Sequence, residues 1–302
     1  MNITGTFLDE ITHDIPSQNW SADDWARDFD AMKRIGIDTV ILIRAGYRNR
    51  LTFNSQAIKS KVGALPVHLD LVDLFLRQAE RCGMKFFFGT YDSGVHWNGG
   101  AYQKEIDLNK AFCDEVITKY GHSPAFQGWY ISHEINTYND GMMKVYEDLS
   151  RHLRQLKNIP ILISPYVKGV KQFGQEAITL AQHAREWDQA FARMKGHVDI
   201  VAFQDGQIGY DELPDYLRTN RELADKYGIT SWSNIESFDR DMPIKFPPAD
   251  FGNLRYKMDQ ATQAGVDKLI TFEFSHFMSP NSCYPSAHNL YRRYLEWMGT
   301  QK

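Results

Sequence analysis

The sequence of 302 residues lacks the features of several specialised protein classes. It has three cysteines, Cys82, Cys113 and Cys283, whose odd number and wide spacing predict neither a disulfide framework nor a zinc site. No stretch approaches roughly 18 consecutive apolar residues, so no membrane span is expected. Because Met1 is followed at once by an apparent strand, the sequence indicates a cytoplasmic protein as it stands, or an exported one whose signal peptide has been removed.

Positive charge is too scarce for a protein whose main partner is a nucleic acid. The 34 Lys and Arg residues are outnumbered by 38 Asp and Glu, which gives a net charge of −4, whereas phosphate binding requires a basic surface. There is no HExxH, GxSxG, P-loop or EF-hand motif. We therefore expect no cofactor and no dedicated metal site. No pattern indicates an oligomeric state.

The sequence does contain a regular alternation of strand and helix patterns. Short apolar segments rich in β-branched and aromatic residues predict eight buried parallel strands. These strands are predicted at 3–9, 39–44, 85–91, 128–134, 159–165, 199–204, 230–236 and 268–274. Helices are predicted near 21–35, 68–82, 106–120, 140–157, 175–195, 210–227, 249–264 and 286–298. This order predicts an α/β fold, a single (β/α)8 TIM barrel that forms one catalytic domain over residues 1–302.

Glycines at the ends of predicted helices support the repeated strand–helix unit. Gly36, Gly83, Gly228 and Gly265 each follow a predicted helix and precede a strand. An open doubly wound sheet is the alternative, but it usually carries a Gly-rich phosphate loop, and we find none. The long connections 45–67, 92–105 and 275–285 are expected on the catalytic face of the closed barrel.

Two glutamates stand at the ends of predicted strands. Alternation of strand side chains puts Glu134 on the face of Tyr130 and Glu236 on the face of Trp232, so both glutamates are predicted to point into the barrel. His133 falls on the opposite face, where it would need a polar partner. Two carboxyl groups so placed suit glycoside hydrolysis, in which one protonates the leaving oxygen and the other attacks the anomeric carbon or activates water. Either glutamate could instead be a salt-bridge partner inside the barrel.

These two strands resemble those of the large clan of retaining barrel glycosidases. In that clan the glutamate on strand 4 is the acid/base and the glutamate on strand 7 is the nucleophile. The resemblance implies these roles for Glu134 and Glu236, with their carboxyl groups about 5–5.5 Å apart. His133 stands where the clan usually has an asparagine that contacts the sugar 2-hydroxyl.

The whole chain also resembles an uncharacterised bacterial family of glycoside-hydrolase-like barrels. Residues 5–10, 19–21 with Trp25, 36–41 and 203–206 carry this resemblance. It covers nearly the entire chain and implies the fold and the class of enzyme, but no particular substrate.

Further polar and aromatic residues near the strand ends are expected to bind the substrate. Arg44 is predicted to pair with a carboxylate, either in a structural ion pair or to keep a nucleophile ionised. Glu273 is the main rival to Glu236 and is expected to bind a sugar hydroxyl or to tune a proton. Tyr166 and Trp232 are the leading candidates for stacking on a sugar ring, with loop packing as the alternative for each. The other expected substrate contacts are Glu10, Tyr91, Trp97, His133, Gln204, Asp205 and His276.

The preferred interpretation is a glycoside hydrolase, with retention expected, that acts on an oligo- or polysaccharide. Two alternatives use the same fold. One is a metal-dependent sugar isomerase or aldolase, whose candidate ligands are Glu134, Asp205, Glu236, Glu273 and His276. The other is a carbohydrate-binding barrel without turnover. No pattern indicates the sugar, its linkage, or endo versus exo action.

Overall fold

A computed structural model describes residues 1–240 and 244–300, and it contains the predicted closed barrel. Each strand pairs in parallel with its neighbours in the chain, and the first strand closes the barrel by pairing with the last. The strands are β1 (Ile3–Leu8), β2 (Thr39–Leu42), β3 (Lys85–Gly89), β4 (Phe126–Tyr130), β5 (Ile161–Ile163), β6 (Ile200–Gln204), β7 (Thr230–Asn234) and β8 (Lys268–Thr271). The TIM-barrel prediction is therefore confirmed.

One long helix follows each strand. These helices are α1 (Ala22–Arg34), α2 (Leu71–Cys82), α3 (Tyr102–Tyr120), α4 (Asp140–Leu156), α5 (Leu180–Met194), α6 (Leu213–Tyr227), α7 (Phe251–Gln263) and α8 (Pro285–Thr300). Short helical turns lie at Val170–Phe173, Gly174–Glu176 and Phe274–Phe277. Within the described part of the chain, every helix falls short of the length and apolar character that a bilayer crossing needs.

The core has two layers because side chains alternate along each strand. Tyr130 points inward, where its ring packs edge-on against Phe7. Trp129 points outward to the larger core between strands and helices. A side chain at Gly128 would meet the Phe87 ring at 2.2 Å, so the barrel interior leaves room only for glycine there.

The strands that carry the two glutamates end earlier than predicted. β4 ends at Tyr130, because the Ser132 N–H donates to the Thr90 hydroxyl (3.0 Å) instead of to a backbone carbonyl. β7 ends at Asn234, and the Glu236 N–H donates to a side-chain oxygen of Asp205 (2.9 Å). Both glutamates therefore lie on connections just beyond their strands.

A small sheet lies beside the barrel mouth, within and next to the predicted long connections. The hairpin strands Gly46–Tyr47 and Arg50–Leu51 pair antiparallel, and Tyr91–Asp92 joins in parallel. This sheet holds the segment after β2 against the segment after β3, so residues from both connections come to line one cavity.

Candidate active site

A cavity of about 290 Å³ opens at the carboxyl ends of the strands. Its walls come from the connections that follow several different strands, which is where barrel enzymes carry their active sites. Both Glu134 and Glu236 line it, so the two glutamates that the sequence singled out share one site. Four of the other predicted contacts also line it, namely Arg44, Trp97, Tyr166 and Gln204.

Glu134 has a carboxyl group that protein atoms surround but solvent still reaches. Its side chain is 21% exposed. Arg44 Nη2 lies 3.2 Å from Oε2, and the Tyr130 hydroxyl donates to Oε1 at 3.2 Å. Burial raises the pKa of Glu134 above its ordinary value, while the Arg44 charge and the Tyr130 hydrogen bond oppose that shift. A glutamic acid in such surroundings keeps its proton to higher pH than a solvated one.

Arg44 connects Glu134 to a second buried acid, Asp92. The Arg44 guanidinium donates from Nε to Asp92 Oδ2 at 3.2 Å. The other Asp92 oxygen accepts from the Trp97 indole at 2.7 Å and from the Gly94 N–H at 2.8 Å. Although burial works in the other direction, the Arg44 charge helps to hold the pKa of Asp92 below its usual value. Arg44 thus contacts the predicted acid rather than the predicted nucleophile, which corrects one of the two roles considered for it.

Glu236 is held by a different arginine. Its side chain is 1% exposed, and Arg240 makes a two-point contact with it, from Nε to Oε2 at 2.9 Å and from Nη2 to Oε1 at 2.7 Å. Gln207 adds a long contact to Oε1 at 3.5 Å. Gly206 is required next to this carboxylate, since a Cβ there would stand 1.7 Å from Oε2.

The backbone of Glu236 is fixed from below by a buried ion pair. Lys257 on α7 donates to Asp205 Oδ1 at 2.9 Å and to the Glu236 carbonyl at 2.5 Å. Asp205, predicted as a substrate contact, does not line the cavity and accepts the Glu236 N–H instead. Its position corrects that prediction, because both neighbours of its Oδ1 atom belong to the scaffold.

Trp232 lies at the wrong end of the barrel for the role predicted for it. It shares the inward face with Glu236, as alternation requires, but four residues along a strand correspond to about 13 Å. Its ring packs against Phe87, lies under the Lys268 ammonium, and lines a pocket at the amino ends of the strands. Trp232 therefore closes the bottom of the barrel and does not face the substrate cavity.

Tyr91 and His133 are also turned away from the cavity. The Tyr91 hydroxyl donates to the Arg48 carbonyl at 2.9 Å, and its ring is buried against Phe112. His133 Nε2 lies 2.8 Å from Glu105 Oε1 on α3, which supplies the polar partner that alternation demanded for an outward histidine. Neither residue is a substrate contact in this arrangement.

Glu273 and His276 form a fully buried ion pair behind the cavity. Both oxygens of Glu273 accept backbone N–H groups, from Ser275 at 2.8 Å and from His276 at 2.9 Å. Burial alone would lower the pKa of His276, but the Glu273 charge raises it to about 9. Glu273 caps the short helical turn that contains His276, and neither residue lines the cavity. The sugar-binding expectation therefore fits neither residue, and the rival-nucleophile expectation does not fit Glu273.

Glu10 lies outside the cavity as well. Its carboxylate accepts the N–H groups of Gln18 and Asn19, both at 3.1 Å, and so organises the loop after β1. It lines a separate groove that also contains Trp20 and Arg50.

Several cavity residues escaped the sequence analysis. The most important is Arg240, together with Gln207, His13, Asp14, Arg48, Phe238 and Phe272, whereas Tyr47, which also lines the cavity, was expected on a loop at this end of the barrel. A signal for Arg240 was available, since it follows Glu236 by four residues in the sequence with Phe238 between them. The others lie on the connections after several strands, where no periodic pattern pointed to them.

One group among the described residues has donor atoms close enough to hold a metal ion. It consists of Asp92, Glu105 and His133, with atoms within 4.8 Å of one another. The hydrogen bonds already described occupy both oxygens of Asp92 and join His133 to Glu105, whereas Glu105 Oε2 and His133 Nδ1 are buried without a hydrogen-bond partner among the described residues. The five ligands considered for a metal-dependent enzyme do not form such a group: Arg240 occupies Glu236, Lys257 pairs with Asp205, and Glu273 pairs with His276.

Both the sequence and the structure were compared with those of known proteins. The sequence model of a family described as "Domain of unknown function (DUF4434)" matches residues 3–284. No curated protein matches the sequence. A structure from Bacteroides thetaiotaomicron VPI-5482, described as a "putative alpha-L-fucosidase", is 49% identical with a TM-score of 0.94, over 98% of this chain and 95% of that one.

More distant structures share the barrel. The endo-1,4-beta-D-mannanase of Thermotoga petrophila RKU-1 is 13% identical with a TM-score of 0.60, over 90% of this chain and 88% of that one. The intracellular xylanase of Thermoanaerobacterium saccharolyticum JW/SL-YS485 is 10% identical with a TM-score of 0.52, over 90% and 85%. At these identities the likeness shows the fold alone, and that fold is one found in glycoside hydrolases.

Proposed function

This chain belongs to the family described as Domain of unknown function (DUF4434), and we propose that it is a retaining glycoside hydrolase built as one barrel domain. The observation that carries the proposal is the pairing of Glu134 and Glu236 in a single cavity, each in a different electrostatic setting. Glu134 acts as the general acid/base and Glu236 as the nucleophile. Such a division between two carboxyl groups is how glycosidases separate their chemical roles.

The surroundings of each carboxyl group suit its role. Burial raises the pKa of Glu134, which keeps a proton available for the leaving oxygen. The two hydrogen bonds from Arg240 balance the negative charge of Glu236 and orient its oxygens. One of these oxygens must leave the guanidinium, or rotate within that contact, to reach the anomeric carbon.

The reaction then proceeds in two displacement steps. Glu236 attacks the anomeric carbon while Glu134 transfers its proton to the glycosidic oxygen, so the C–O bond breaks and a glycosyl ester forms on Glu236. In the second step Glu134, now ionised, takes a proton from water as that water attacks the same carbon. The ester bond breaks, both carboxyl groups return to their starting state, and the sugar keeps its anomeric configuration.

The substrate is an oligo- or polysaccharide. The cavity has aromatic surfaces at Trp97 and Tyr166, and amide groups at Gln204 and Gln207 that can bind hydroxyls. The description of the 49% identical relative makes an α-L-fucoside the first compound to try. Aryl glycosides of other sugars complete the set.

Substitution of each glutamate by alanine separates the two roles. Glu134→Ala should lose natural glycosides far more than dinitrophenyl glycosides, because a phenol of low pKa departs without protonation. Glu236→Ala should lose both kinds by several orders of magnitude, and added azide should restore turnover by attacking from the vacated side. Glu222→Gln, an exposed glutamate on α6, is the control and should behave as wild type.

Two results would contradict the assignment. If Glu273→Ala is inactive while Glu236→Ala remains active, the nucleophile lies on the connection after β8. If proton NMR of the first-formed product shows the opposite anomer, the enzyme inverts, and a water must fit between the two carboxyl groups.

A further inference from the structure

Arg48 stands at the cavity wall without an acidic partner. Among residues 1–240 and 244–300, no carboxylate comes within 4.0 Å of its guanidinium, whereas Arg44 and Arg240 in the same cavity are both paired with acids. Asp14 lines the cavity too, yet it forms no ion pair with Arg48. Arg48 is therefore a cation without an acidic partner in the described part of the protein, and it lines the same cavity as the two proposed catalytic glutamates.

The backbone at Arg48 is held in a conformation that arginine does not favour. It begins the two-residue turn of the hairpin and has φ +53°, in the left-handed region where glycine or asparagine is the usual choice. Its N–H donates to the Asp92 carbonyl at 2.9 Å, and its carbonyl accepts the Tyr91 hydroxyl at 2.9 Å. The turn geometry does not explain why an arginine stands at this position. A role of its side chain would explain it.

The side chain is exposed to solvent, and its guanidinium lies over an aromatic ring of the cavity wall. Its guanidinium carbon lies 5.0 Å from the centre of the Tyr47 ring, whose other contacts include a stacked His13. Gly94 permits this position, because a Cβ there would come 3.0 Å from Arg48 Nε. A guanidinium stacked on a ring face keeps its in-plane N–H donors free for a ligand.

We propose that Arg48, seated on Tyr47, is a subsite for an anionic substituent of the sugar, either the carboxylate of a uronic acid or a sulfate ester. This proposal deepens the glycosidase function and rests on it. The planar fork of a guanidinium matches two oxygens of such a group, and the two catalytic carboxylates cannot compete because other arginines hold them. A neutral sugar in the same cavity would leave the Arg48 charge without a partner.

Binding of matched sugars to the wild-type protein tests the subsite. The probes are methyl glycosides in gluco and galacto configuration, each as the uronic acid, its methyl ester, the 6-sulfate and the unmodified sugar. Dissociation constants from NMR titration should favour at least one anionic probe over its neutral partner by about tenfold or more, as expected for a charge-assisted hydrogen bond. The acid and the sulfate arms distinguish the two kinds of substituent. The preference should shrink as ionic strength rises.

The variant Arg48→Asn removes the guanidinium and places a residue that tolerates the left-handed turn. It should abolish the preference for the anionic probe while neutral probes bind as before. Arg50→Gln is the matched control, since Arg50 lies on the same hairpin but lines the separate groove; its preference should equal that of wild type. A preference that survives in Arg48→Asn, or the lack of any preference in wild type, overturns the proposal.

Measuring the cleavage of aryl glycosides distinguishes a failure of the anionic subsite from a failure of the proposed glycosidase function. Cleavage of neutral aryl glycosides without any anionic preference would leave the glycosidase in place and remove the subsite. Binding of anionic probes that depends on Arg48, with no cleavage of any aryl glycoside, would keep the subsite and remove the hydrolase.

Discussion

At the scale of single residues, the two glutamates differ in what holds them. Glu134 receives one hydrogen bond from Tyr130 and an ion-pair contact from Arg44, both at 3.2 Å, and it remains partly open to solvent. Glu236 is enclosed and engaged on both oxygens by Arg240. The contrast matters because a general acid must retain a proton that it can give away, while a nucleophile must be charged and aimed.

The hydroxyl of Tyr130 influences the pKa of Glu134, the proposed general acid, because it donates a hydrogen bond to that carboxyl group. It stabilises the ionised form of Glu134 and so works against burial, which raises the pKa. Tyr130→Phe should therefore raise that pKa further. Because the role proposed for Glu134 requires its protonated form, the alkaline limb of the kcat/KM profile should move to higher pH, by up to about one unit.

The measurement is kcat/KM from pH 4 to 9 on a substrate with a poor leaving group. Tyr146→Phe is the control, since its hydroxyl donates to the His133 carbonyl and not to Glu134. An alkaline limb that moves to lower pH in Tyr130→Phe would show that another group sets it.

At the scale of elements, the connection after β8 is tied to α1 through Asp28. This carboxylate is fully buried and accepts hydrogen bonds from Ser275 at 2.8 Å and Asn281 at 3.2 Å, as well as from the Ser279 hydroxyl. Burial raises the pKa of Asp28 to about 6, although these hydrogen bonds oppose the shift. A solvated aspartate instead has a pKa near 3.8.

The raised pKa makes the stability of this attachment depend on pH. The contribution of Asp28 is full below about pH 3, where the carboxyl is protonated in both the folded and the unfolded protein, and it is lost as pH rises through about 6. A shift of this size corresponds to about 3 kcal/mol. Asp28→Asn lacks the titration, so the unfolding free energy of wild type minus that of the variant should fall by about 3 kcal/mol between pH 3 and pH 7.

Urea unfolding at intervals over this pH range measures the difference. Asp23→Asn, exposed on the same helix, is the control and should show no comparable trend. A difference for Asp28→Asn that is flat with pH would mean that Asp28 titrates alike in the folded and unfolded protein.

At the scale of the whole molecule, the two ends of the barrel serve different purposes. The carboxyl ends of the strands carry the cavity with both glutamates, while Trp232 and the Lys268–Asp38 ion pair close the amino ends. Trp232→Ala should destabilise the protein by roughly 2–4 kcal/mol through lost packing. It should leave kcat/KM within about twofold of wild type, because it contacts nothing at the site.

For Trp97→Ala we expect the opposite, a larger effect on activity than on stability. Trp97 lines the cavity and donates to Asp92, so its loss should lower kcat/KM with a smaller effect on stability. Denaturation curves and kinetics on the same two variants test the division between the barrel ends. A loss of activity in folded Trp232→Ala would mean that the bottom of the barrel is coupled to the site.

The sequence by itself determined the barrel and the direction in which its side chains point. Strand and helix periods are local, and glycine at a helix end has a local conformational cause, as at Gly83 and Gly228, which have φ +71° and +69°. Alternation likewise settled that Glu134 and Glu236 face inward and that His133 faces outward. These features depend only on neighbours in the chain, so a pattern of residues is enough to predict them.

Only the tertiary structure decided which residues meet. Alternation assigns a face but not a height, so Trp232 shares a face with Glu236 and yet lies at the other end of the barrel. Arg44 forms ion pairs with Glu134 and Asp92, while Arg240, on a loop without a periodic pattern, pairs with Glu236. The partner of His133 came from α3, 28 residues earlier in the chain. Charge pairing acts through space between segments distant in the chain, and the closure of the barrel sets those distances.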